Sequence, residues 1–538
     1  MMKKWWHKSV VYQVYPKSFY DSNGDGIGDI QGIIKKIDYL SRLGVDVLWL
    51  SPVYKSPMID NGYDISDYQD ISSQFGTMAD MDLLIKEATN RNIKIIMDLV
   101  VNHTSDKHKW FRESRKSKDN KYRDYYIWRD KPNDIESVFL GDAWEYDPLT
   151  NQYYFHLFSK EQPDLNWENI NVRNEISNMM NWWLEKGISG FRMDVIEFVG
   201  KEIDKRILGD GPKLHKYIRE MNEKSFGKYD CLTVGETWGA TLEKAKIYSN
   251  PDRNELSMIF QFEHITMNWD DDYGKWRQKP FDFIKYKQNY SKWQTMNREE
   301  GWNSLFLSNH DLPRAVSYFG NEDYRIESAK MLSTLIHFMR GTPYIYQGEE
   351  IGMTNVKYKD ITSYNDVETF NAYEKMISSG ISHEEAMESI YIVGRDNART
   401  PIQWDNTKNA GFTDGNPWIG INKNYNEINV KESLENEHSI FYHYKRLISL
   451  RKESNYSNLI VYGDYEIVSE NDPDVFSYIR YDGNKTILIV CNFTEKILNR
   501  SYDYLVKNNI VNNYRSIHTL SDIVLEPYES FVLEVEEK

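Results

Sequence analysis

Strand and helix patterns alternate along most of this 538-residue chain. Within the first hundred residues, two stretches of helical periodicity separate three apolar runs typical of buried strands, at 10–15, 45–50 and 93–101. The alternation resumes with five further strand patterns, at 190–196, 231–236, 258–262, 304–309 and 342–346. Eight strands with helices between them predict a (β/α)8 barrel, and a doubly wound open sheet is the alternative.

Two stretches depart from this alternation. Charged, aromatic and turn-forming residues replace the helical period after the third strand, which predicts a small inserted domain. From about Tyr465 onward, short alternating strands follow one another without long helices, which predicts a C-terminal antiparallel β-sandwich domain. The predicted boundaries are 1–103 and 172–464 for the barrel, 104–171 for the inserted domain and 465–538 for the C-terminal domain.

The composition excludes several classes of partner. The formal net charge is −16, so nucleic acids and anionic membranes, which bind basic patches, are not expected as partners. No stretch approaches the ~18 apolar residues of a membrane helix, and the first residues show no signal-peptide pattern. Cys231 and Cys491 lie in apolar strand patterns, which favours buried free thiols. We expect a monomer that acts on a neutral small molecule in the cytoplasm.

Three of the apolar runs end in a carboxylate. Asp194 closes the run 190–194, Glu236 closes 232–236, and Asp311 closes 306–311. In a parallel barrel the carboxyl ends of the strands form the rim that carries the active site. Because paired carboxylates are the groups that cleave glycosidic bonds, the pattern indicates a glycoside hydrolase.

The spacing of these acids suggests their roles. Arg192 and Asp194 are two residues apart and therefore point to the same side of their strand. A neighbouring guanidinium favours the ionised form of Asp194, which a nucleophile requires. Glu236 ends the adjacent strand, close enough for the ~5 to 5.5 Å separation of a retaining mechanism, in which it serves first as acid and then as base. Asp311 is placed to bind sugar hydroxyls.

Five short segments resemble the signature regions of the α-amylase family of glycoside hydrolases. They read DLVVNH at 98–103, QPDLN at 162–166, GFRMD at 190–194, VGE at 234–236 and SNHD at 308–311. The resemblance spans nearly the whole chain and implies a barrel with an inserted domain and a β-sandwich tail. It implies Asp194 as nucleophile, Glu236 as acid/base and Asp311 as transition-state stabiliser. It also places four further residues in the substrate site: His103, Gln162, Arg192 and His310.

Within that family, the chain is similar to the oligo-1,6-glucosidases and closer still to the dextran glucosidases. Val195, directly after the nucleophile, resembles the valine of members specific for α-1,6 bonds. The tetrapeptide ETWG at 236–239 and the short segment 195–211 resemble the dextran type. By this resemblance Trp238 forms an acceptor-side wall, and the chain removes glucose from isomalto-oligosaccharides or dextran.

The same resemblance assigns the remaining substrate contacts. Asp60 and Arg399 would hold the hydroxyls of the non-reducing terminal glucose, and Tyr63 would stack on its ring. Lys275 and Glu368 match positions on the acceptor side. A pocket closed at the non-reducing end implies exo action, with one glucose released per event.

A loop after the first strand predicts a structural calcium ion. The segment 21–29, DSNGDGIGD, offers oxygen ligands at alternate positions, as in the first part of a calcium-binding loop. The predicted ligands are Asp21, Asn23, Asp25, Ile27 and Asp29. A loop of Asx turns without a metal is the alternative. No dinucleotide or Walker fingerprint and no zinc spacing is present, so no organic cofactor is expected.

Other functions stay open at this point. A catalytically inactive, amylase-like binding module is one alternative, but that class carries a membrane helix and lacks the acids found here. An oligo-1,6-glucosidase that prefers short substrates, a trehalose-6-phosphate hydrolase, a sucrose isomerase and an α-1,4-glucosidase are others. The Arg-x-Asp-Arg-Asp segment of sucrose isomerases is absent, and phosphate recognition requires a cationic cluster beyond Lys275.

Overall fold

The computed structural model describes residues 3–139, 141–297 and 299–538. Eight strands form its central sheet: β1 Val11–Val14, β2 Val47–Leu50, β3 Lys94–Leu99, β4 Gly190–Met193, β5 Leu232–Glu236, β6 Met258–Phe260, β7 Ser304–Leu305 and β8 Thr342–Tyr346. They are parallel and run in the order β6, β5, β4, β3, β2, β1, β8, β7. A parallel bridge between Ile259 and Asn303 joins the two ends. The predicted barrel is confirmed.

A helix follows each barrel strand. These helices are α1 Ile30–Leu43, α2 Met78–Asn90, α3 Ile170–Glu185, α4 Leu214–Lys224, α5 Leu242–Ser249, α6 Phe283–Gln294, α7 Arg325–His337 and α8 Ile440–Glu453. Helix α1 shows how the sequence sets their limits. Asp29 caps its first turn by accepting the N–H of Gly32 at 2.6 Å. Gly44 ends it in the left-handed conformation, with φ of 99°.

Further helices lie in the connections and before the C-terminal sheet. They are Lys109–Ser114, Glu263–Thr266, Ala315–Tyr318, Val367–Ser378, His383–Val393, Asp396–Arg399, Val430–Glu435 and Ser457–Tyr462. Two short strand pairs also lie in the connections: Tyr54–Lys55 with Asp67–Ile71, and Trp269–Asp270 with Gly274–Gln278. In the described part of the chain, the helices are all too short or too polar to cross a membrane.

The insertion after β3 folds into its own small unit, as the sequence predicts. Its antiparallel sheet has Gln152–Phe155 in the centre, between Trp128–Arg129 and Trp144–Asp147. A separate apolar cluster that includes Ile127, Trp144 and Phe155 fills it. Because this unit emerges at the carboxyl end of β3, it stands beside the rim of the barrel.

A buried lysine joins the insertion to the barrel. The ammonium of Lys201 lies 2.5 Å from Asp164 Oδ2 and also donates to Asn102 Oδ1. The side chains of Lys201 and Asp164 are only 3% and 0% exposed. Asn102 follows β3, Lys201 follows β4, and Asp164 lies in the inserted segment. The Lys201 ammonium therefore connects two strand ends to the insertion.

Removing this ammonium should destabilise the protein. We expect Lys201→Met to lower the free energy of unfolding by about 3–5 kcal/mol, because Asp164 would be left as a buried, unpaired carboxylate. Denaturant titration followed by circular dichroism measures the change. The matched control is Lys55→Met, which removes an exposed pair with Asp70 and should cost less than about 1 kcal/mol. Equal losses in the two variants would contradict the role assigned to Lys201.

The C-terminal region forms the predicted antiparallel structure. Its five-stranded sheet runs in the order Asp464–Ile467, Val475–Tyr481, Thr486–Asn492, Ser530–Glu537, Tyr504–Asn512, and a second pair joins Leu498–Arg500 to Ile523–Leu525. One face packs on α7, where the Tyr478 hydroxyl donates to Leu335 O at 2.6 Å. Cys231 and Cys491 are free and buried, as the sequence predicts.

Candidate active site

A cleft of about 410 Å³ lies at the carboxyl ends of the barrel strands. Ten of the sequence-predicted site residues line it: Asp60, Tyr63, His103, Asp194, Val195, Glu236, Trp238, Lys275, Asp311 and Glu368. Four others lie directly behind the wall and are at most 1% exposed: Gln162, Arg192, His310 and Arg399. Each of these four hydrogen-bonds a residue that lines the cleft. Segments far apart in the sequence therefore converge on one site.

The guanidinium of Arg192 organises the centre of the cleft. Its Nη1 atom lies 2.6 Å from Asp194 Oδ1 and 2.8 Å from Asp98 Oδ1. Its Nη2 atom lies 2.7 Å from Glu236 Oε2. The three carboxylates come from the ends of β3, β4 and β5, so the parallel order of the barrel places them around one cation. Asp98 was not among the predicted site residues, although it belongs to one of the quoted segments.

This cluster has an excess of negative charge. Burial raises the pKa of Asp194 well above its ordinary value, Arg192 opposes that rise, and the neighbouring Glu236 and Asp98 charges add to it. One guanidinium therefore faces three buried carboxylates, and the charge of Arg192 offsets the burial of Asp194 only in part. Two carboxylates held side by side are the arrangement that acid-assisted displacement requires.

Glu236 is held by two further donors. The N–H of Val195 lies 3.0 Å from its Oε2 atom, and the indole N–H of Trp238 lies 3.3 Å from its Oε1 atom. Val195 has φ of 36° and ψ of 44°, a left-handed conformation that is costly for a β-branched residue. That conformation turns the N–H of the residue after Asp194 toward Glu236.

Asp311 is surrounded by basic side chains. His310 Nε2 is 3.0 Å from its Oδ2 atom, and Arg399 Nη2 is 2.8 Å from its Oδ1 atom. Arg395 Nη1 is 3.4 Å from the same Oδ1 atom. Burial alone would raise the pKa of Asp311, but His310, Arg395 and Arg399 together hold it well below its ordinary value. Asp311 is therefore ionised across the neutral range.

The end of the cleft near Asp60 is closed by a hydrogen-bonded wall. Gln162 Nε2 donates to Asp60 Oδ2 at 3.2 Å and to Tyr63 O at 3.3 Å. His103 Nε2 lies 3.0 Å from the same Tyr63 oxygen. The Tyr63 ring is parallel to that of His310, at 5.3 Å between centroids, and its hydroxyl lies 2.6 Å from His310 Nε2. This wall fixes a flat aromatic ring beside a carboxylate, as a terminal sugar requires.

The structure brings Arg395, and not Arg399, to this wall. Arg395 lines the cleft and lies 3.7 Å from Asp60 Oδ1, whereas Arg399 is 1% exposed behind Asp311. The buried carboxylate of Asp366 anchors Arg395 at 2.5 Å. The guanidinium at this wall is therefore that of Arg395, and Arg399 pairs with Asp311 from behind. The two arginines stand four residues apart in the segment RDNAR at 395–399, and no pattern in the sequence separates them.

Aromatic rings form the other side of the cleft. The indole of Trp238 stacks on Phe262 with a centroid distance of 3.9 Å and lies 5.9 Å from the ring of Trp269. Lys275 Nζ is 2.6 Å from Glu368 Oε2, and both side chains line the cleft. Trp269, Tyr273 and Trp276, which also line it, were not predicted, because no motif in the sequence marks this connection after β6.

The segment predicted to bind calcium folds into successive Asx turns. Asp21 Oδ1 accepts the N–H groups of Asn23 and Gly24, Asn23 Oδ1 accepts that of Asp25, and Asp25 Oδ1 accepts that of Ile27, all at 2.7–2.9 Å. No group of three or more His, Cys, Asp or Glu side chains in the described ranges is placed to hold a metal ion. The predicted ligand set also contains the Asn23 amide and the Ile27 backbone oxygen, so calcium binding stays a prediction.

A barrel rim that sets two carboxylates on one guanidinium defines a glycoside hydrolase site. The family model for the α-amylase catalytic domain matches residues 13–463. The chain is 54% identical to a glucan 1,6-alpha-glucosidase of Streptococcus pneumoniae over 99% of its length and 100% of the relative's. It is 53% identical to an oligo-1,6-glucosidase of Bacillus cereus, with the same coverage. The crystal structure of a Bacillus licheniformis trehalose-6-phosphate hydrolase mutant superposes with a TM-score of 0.95 at 46% identity, covering 99% of this chain and 100% of that one.

The chain therefore belongs to the α-amylase family of glycoside hydrolases.

Proposed function

We propose that this protein is a retaining exo-α-glucosidase that hydrolyses α-1,6 bonds at the non-reducing ends of isomalto-oligosaccharides and dextran. The observation that carries the proposal is the shared guanidinium of Arg192, which holds Asp194 and Glu236 on its two terminal nitrogens at 2.6 and 2.7 Å. Two carboxylates on one planar cation are close neighbours, which matches the short separation of about 5 to 5.5 Å in retaining enzymes.

The residues divide the reaction between them. Asp194 attacks the anomeric carbon while Glu236 protonates the departing glycosidic oxygen, and Glu236 then takes a proton from the water that releases glucose. Asp311, ionised beside Arg399 and His310, accepts hydrogen bonds from sugar hydroxyls as the ring flattens. The Arg192 guanidinium stays paired with Asp194 and Glu236 throughout the reaction and fixes their relative positions.

The closed wall supports exo action. Asp60 and Arg395 line the cleft together with Tyr63, and the buried Gln162 holds Asp60 from behind, so we place the terminal glucose ring at this wall. The aromatic side around Trp238 then receives the remainder of the chain. Val195, held beside Glu236, and the similarity to a glucan 1,6-alpha-glucosidase and an oligo-1,6-glucosidase support the α-1,6 preference.

The same cleft disfavours a phosphorylated sugar. A phosphate group requires cations that are free to pair with it. Among the described residues that line the cleft, the cationic side chains of Lys275 and Arg395 already pair with Glu368 and Asp366. Trehalose-6-phosphate hydrolysis, the activity named for the similar solved structure, is therefore not the function we propose.

A substrate time course tests the proposal. The purified protein is given isomaltotriose, a longer isomalto-oligosaccharide, maltose and trehalose 6-phosphate, and the released sugar and its anomer are followed by NMR. The expected result is early α-glucose from the isomalto series with little from maltose. Faster turnover of the longer chain supports dextran as substrate, while equal or slower turnover supports short substrates. β-Glucose would overturn the retaining mechanism, and preference for maltose or the phosphorylated sugar would overturn the bond specificity.

We propose further that the segment 21–29 binds one Ca²⁺ that stabilises the connection between β1 and α1. The oxygens of Asp21, Asn23, Asp25, Ile27 and Asp29 would hold it. Hard oxygen donors at alternate positions suit this cation, and Asp21 is buried and ties the loop to Thr413. Its role would be structural, because the segment contributes no residue to the lining of the cleft.

Calcium removal should therefore lower the melting temperature without changing the chemistry. At calcium 100-fold above its dissociation constant, binding adds about 2.7 kcal/mol, so for a chain of 538 residues we expect a chelator to lower Tm by about 2–3 °C. Scanning calorimetry with and without Ca²⁺ measures the shift. Asp25→Ala should abolish it. The control is Asp67→Ala, which removes an equivalent Asx turn to Gln69 N and should leave the calcium-dependent shift intact. An unchanged Tm in the wild type would refute the site.

The remaining proposals concern assembly and location. We propose a monomer in the cytoplasm. The two buried free thiols, Cys231 and Cys491, support a reducing compartment. Light scattering coupled to size-exclusion chromatography tests the assembly state against the chain mass of 63.9 kDa.

A further inference from the structure

A buried glutamate outside the predicted site joins the nucleophile and acid segments. Glu197 is 3% exposed and lies three residues after Asp194. Its Oε1 atom accepts the N–H of Trp238 at 2.8 Å, and its Oε2 atom accepts the N–H of Gly239 at 3.1 Å. These two N–H groups belong to the turn of residues 237–239, hereafter the Trp238 turn, which directly follows Glu236.

Further hydrogen bonds hold both the Glu197 segment and the Trp238 turn in place. The backbone oxygen of Glu197 accepts the N–H of Asp210 at 3.0 Å. Lys244 Nζ then donates to Asp210 Oδ2 at 2.7 Å and to Gly239 O at 2.9 Å. Position 239 has little free space, since a Cβ there would lie 3.1 Å from Glu197 Oε2. The Trp238 turn is thus held on its N–H side by Glu197 and on its C=O side by Lys244, which is itself paired with Asp210.

We propose that Glu197 is the positioning residue that sets the Trp238 turn, and through it both the acceptor wall and the orientation of the acid/base Glu236. The Trp238 indole stacks on Phe262 and donates to Glu236 Oε1. A change in the backbone of the turn therefore moves two functional groups together. Glu197 does not line the cleft, and its carboxylate contacts the Trp238 turn through two backbone N–H groups.

The geometry of the contact requires a carboxylate, and not an amide, at position 197. Two convergent N–H donors need two acceptor oxygens on one planar group. Burial raises the pKa of Glu197 to about 7, so above that pH its ionised carboxylate supplies both oxygens, and the variants are compared at pH 8. An amide of the same shape offers one acceptor and turns an NH2 group toward the second donor. Glu197→Gln therefore breaks one of the two bonds with almost no change in volume.

Two substrates separate positioning from general damage. Isomaltotriose needs the acceptor wall and proton donation to a sugar leaving group, whereas α-glucosyl fluoride has a small leaving group and no acceptor ring. For Glu197→Gln we expect kcat/KM on isomaltotriose to fall by about 10- to 100-fold, the effect of a small misplacement. We expect kcat/KM for fluoride release from α-glucosyl fluoride to change by less than about threefold, because this constant reports only the formation of the covalent intermediate, which needs no proton from Glu236, and Asp194 keeps its contacts with Arg192 and Leu99.

Controls make the result specific to this glutamate. Glu529→Gln removes a carboxylate of the C-terminal sheet that is also buried and also bonded to a backbone N–H, at 2.8 Å, and should leave both substrates unaffected. Trp238→Ala should reproduce the selective loss, and the double variant with Glu197→Gln should lose little more. Equal losses on both substrates, no loss, or additive losses in the double variant would overturn the proposal.

A replacement variant and the wild type cover two further cases: a variant that does not fold, and a failure of the proposed function itself. If Glu197→Gln does not fold, Glu197→Asp takes its place. The shorter side chain keeps the charge but holds its carboxylate farther from the same two N–H groups. The inference rests on the proposed α-1,6-glucosidase activity, and the wild type separates the two failures. A wild type inactive on isomaltotriose would refute the function, whereas an active wild type with an unselective variant would refute only the role of Glu197.

Discussion

Asp194→Asn should lower kcat on isomaltotriose by at least about 10⁴-fold, because the variant loses the oxygen that forms the covalent intermediate. The substitution is nearly isosteric, and the carbonyl oxygen of the new amide can still accept the Arg192 Nη1 donor that now lies 2.6 Å from Asp194 Oδ1. Substrate binding should therefore survive. Steady-state rates, together with isomaltotriose binding by calorimetry, measure the two quantities separately.

The control for this variant is Asp147→Asn in the inserted segment. Asp147 is also fully buried and also paired with an arginine, at 3.1 Å to Arg115, but it does not line the cleft. We expect its activity to stay within about twofold of the wild type, since changes away from a site that keeps its geometry leave catalysis intact. Activity of Asp194→Asn within about tenfold of the wild type would show that another group is the nucleophile.

The sequence predicts the barrel well because its elements carry local signals. Helix α1 ends at Leu43 and is followed by Gly44, since a left-handed φ of 99° selects glycine there. Strand ends are less well predicted. The run 304–309 was expected as one strand, but the ladder stops at Leu305. Beyond it, side-chain bonds such as Ser308 Oγ to Glu349 Oε2, at 2.8 Å, replace strand pairing.

The acids could be found from sequence because a parallel barrel places its strand ends on one rim. The residues that support them could not, since their partners are distant in the chain. Glu197 follows a strand end almost as closely as Val195 does, yet its contact with the Trp238 turn spans 41 residues. Arg395 acquires its position through acids that include Asp366 and Asp311, and Lys201 pairs with Asp164, 37 residues away. Long-range pairing of buried charges has no local pattern.

Glu236→Ala should produce a loss that depends on the leaving group. On isomaltotriose we expect kcat/KM to fall by about 10²- to 10⁴-fold, since a sugar alkoxide cannot leave without proton donation. On α-glucosyl fluoride the first step should persist, because fluoride is a far weaker base, and the covalent intermediate on Asp194 should accumulate without a base to activate water. A burst of fluoride release followed by slow turnover measures this accumulation.

Sodium azide then identifies the role of Glu236 by the product it yields. Azide needs no general base and can enter the space vacated by the carboxylate beside Arg192 Nη2, the donor that now lies 2.7 Å from Glu236 Oε2. It should restore turnover of Glu236→Ala and form α-glucosyl azide, because Asp194 blocks the opposite face of the sugar in the intermediate. The wild type is the control and should show no azide-dependent product. β-Glucosyl azide from Glu236→Ala would exchange the roles of Asp194 and Glu236, and the absence of rescue would remove Glu236 from the second step of the reaction.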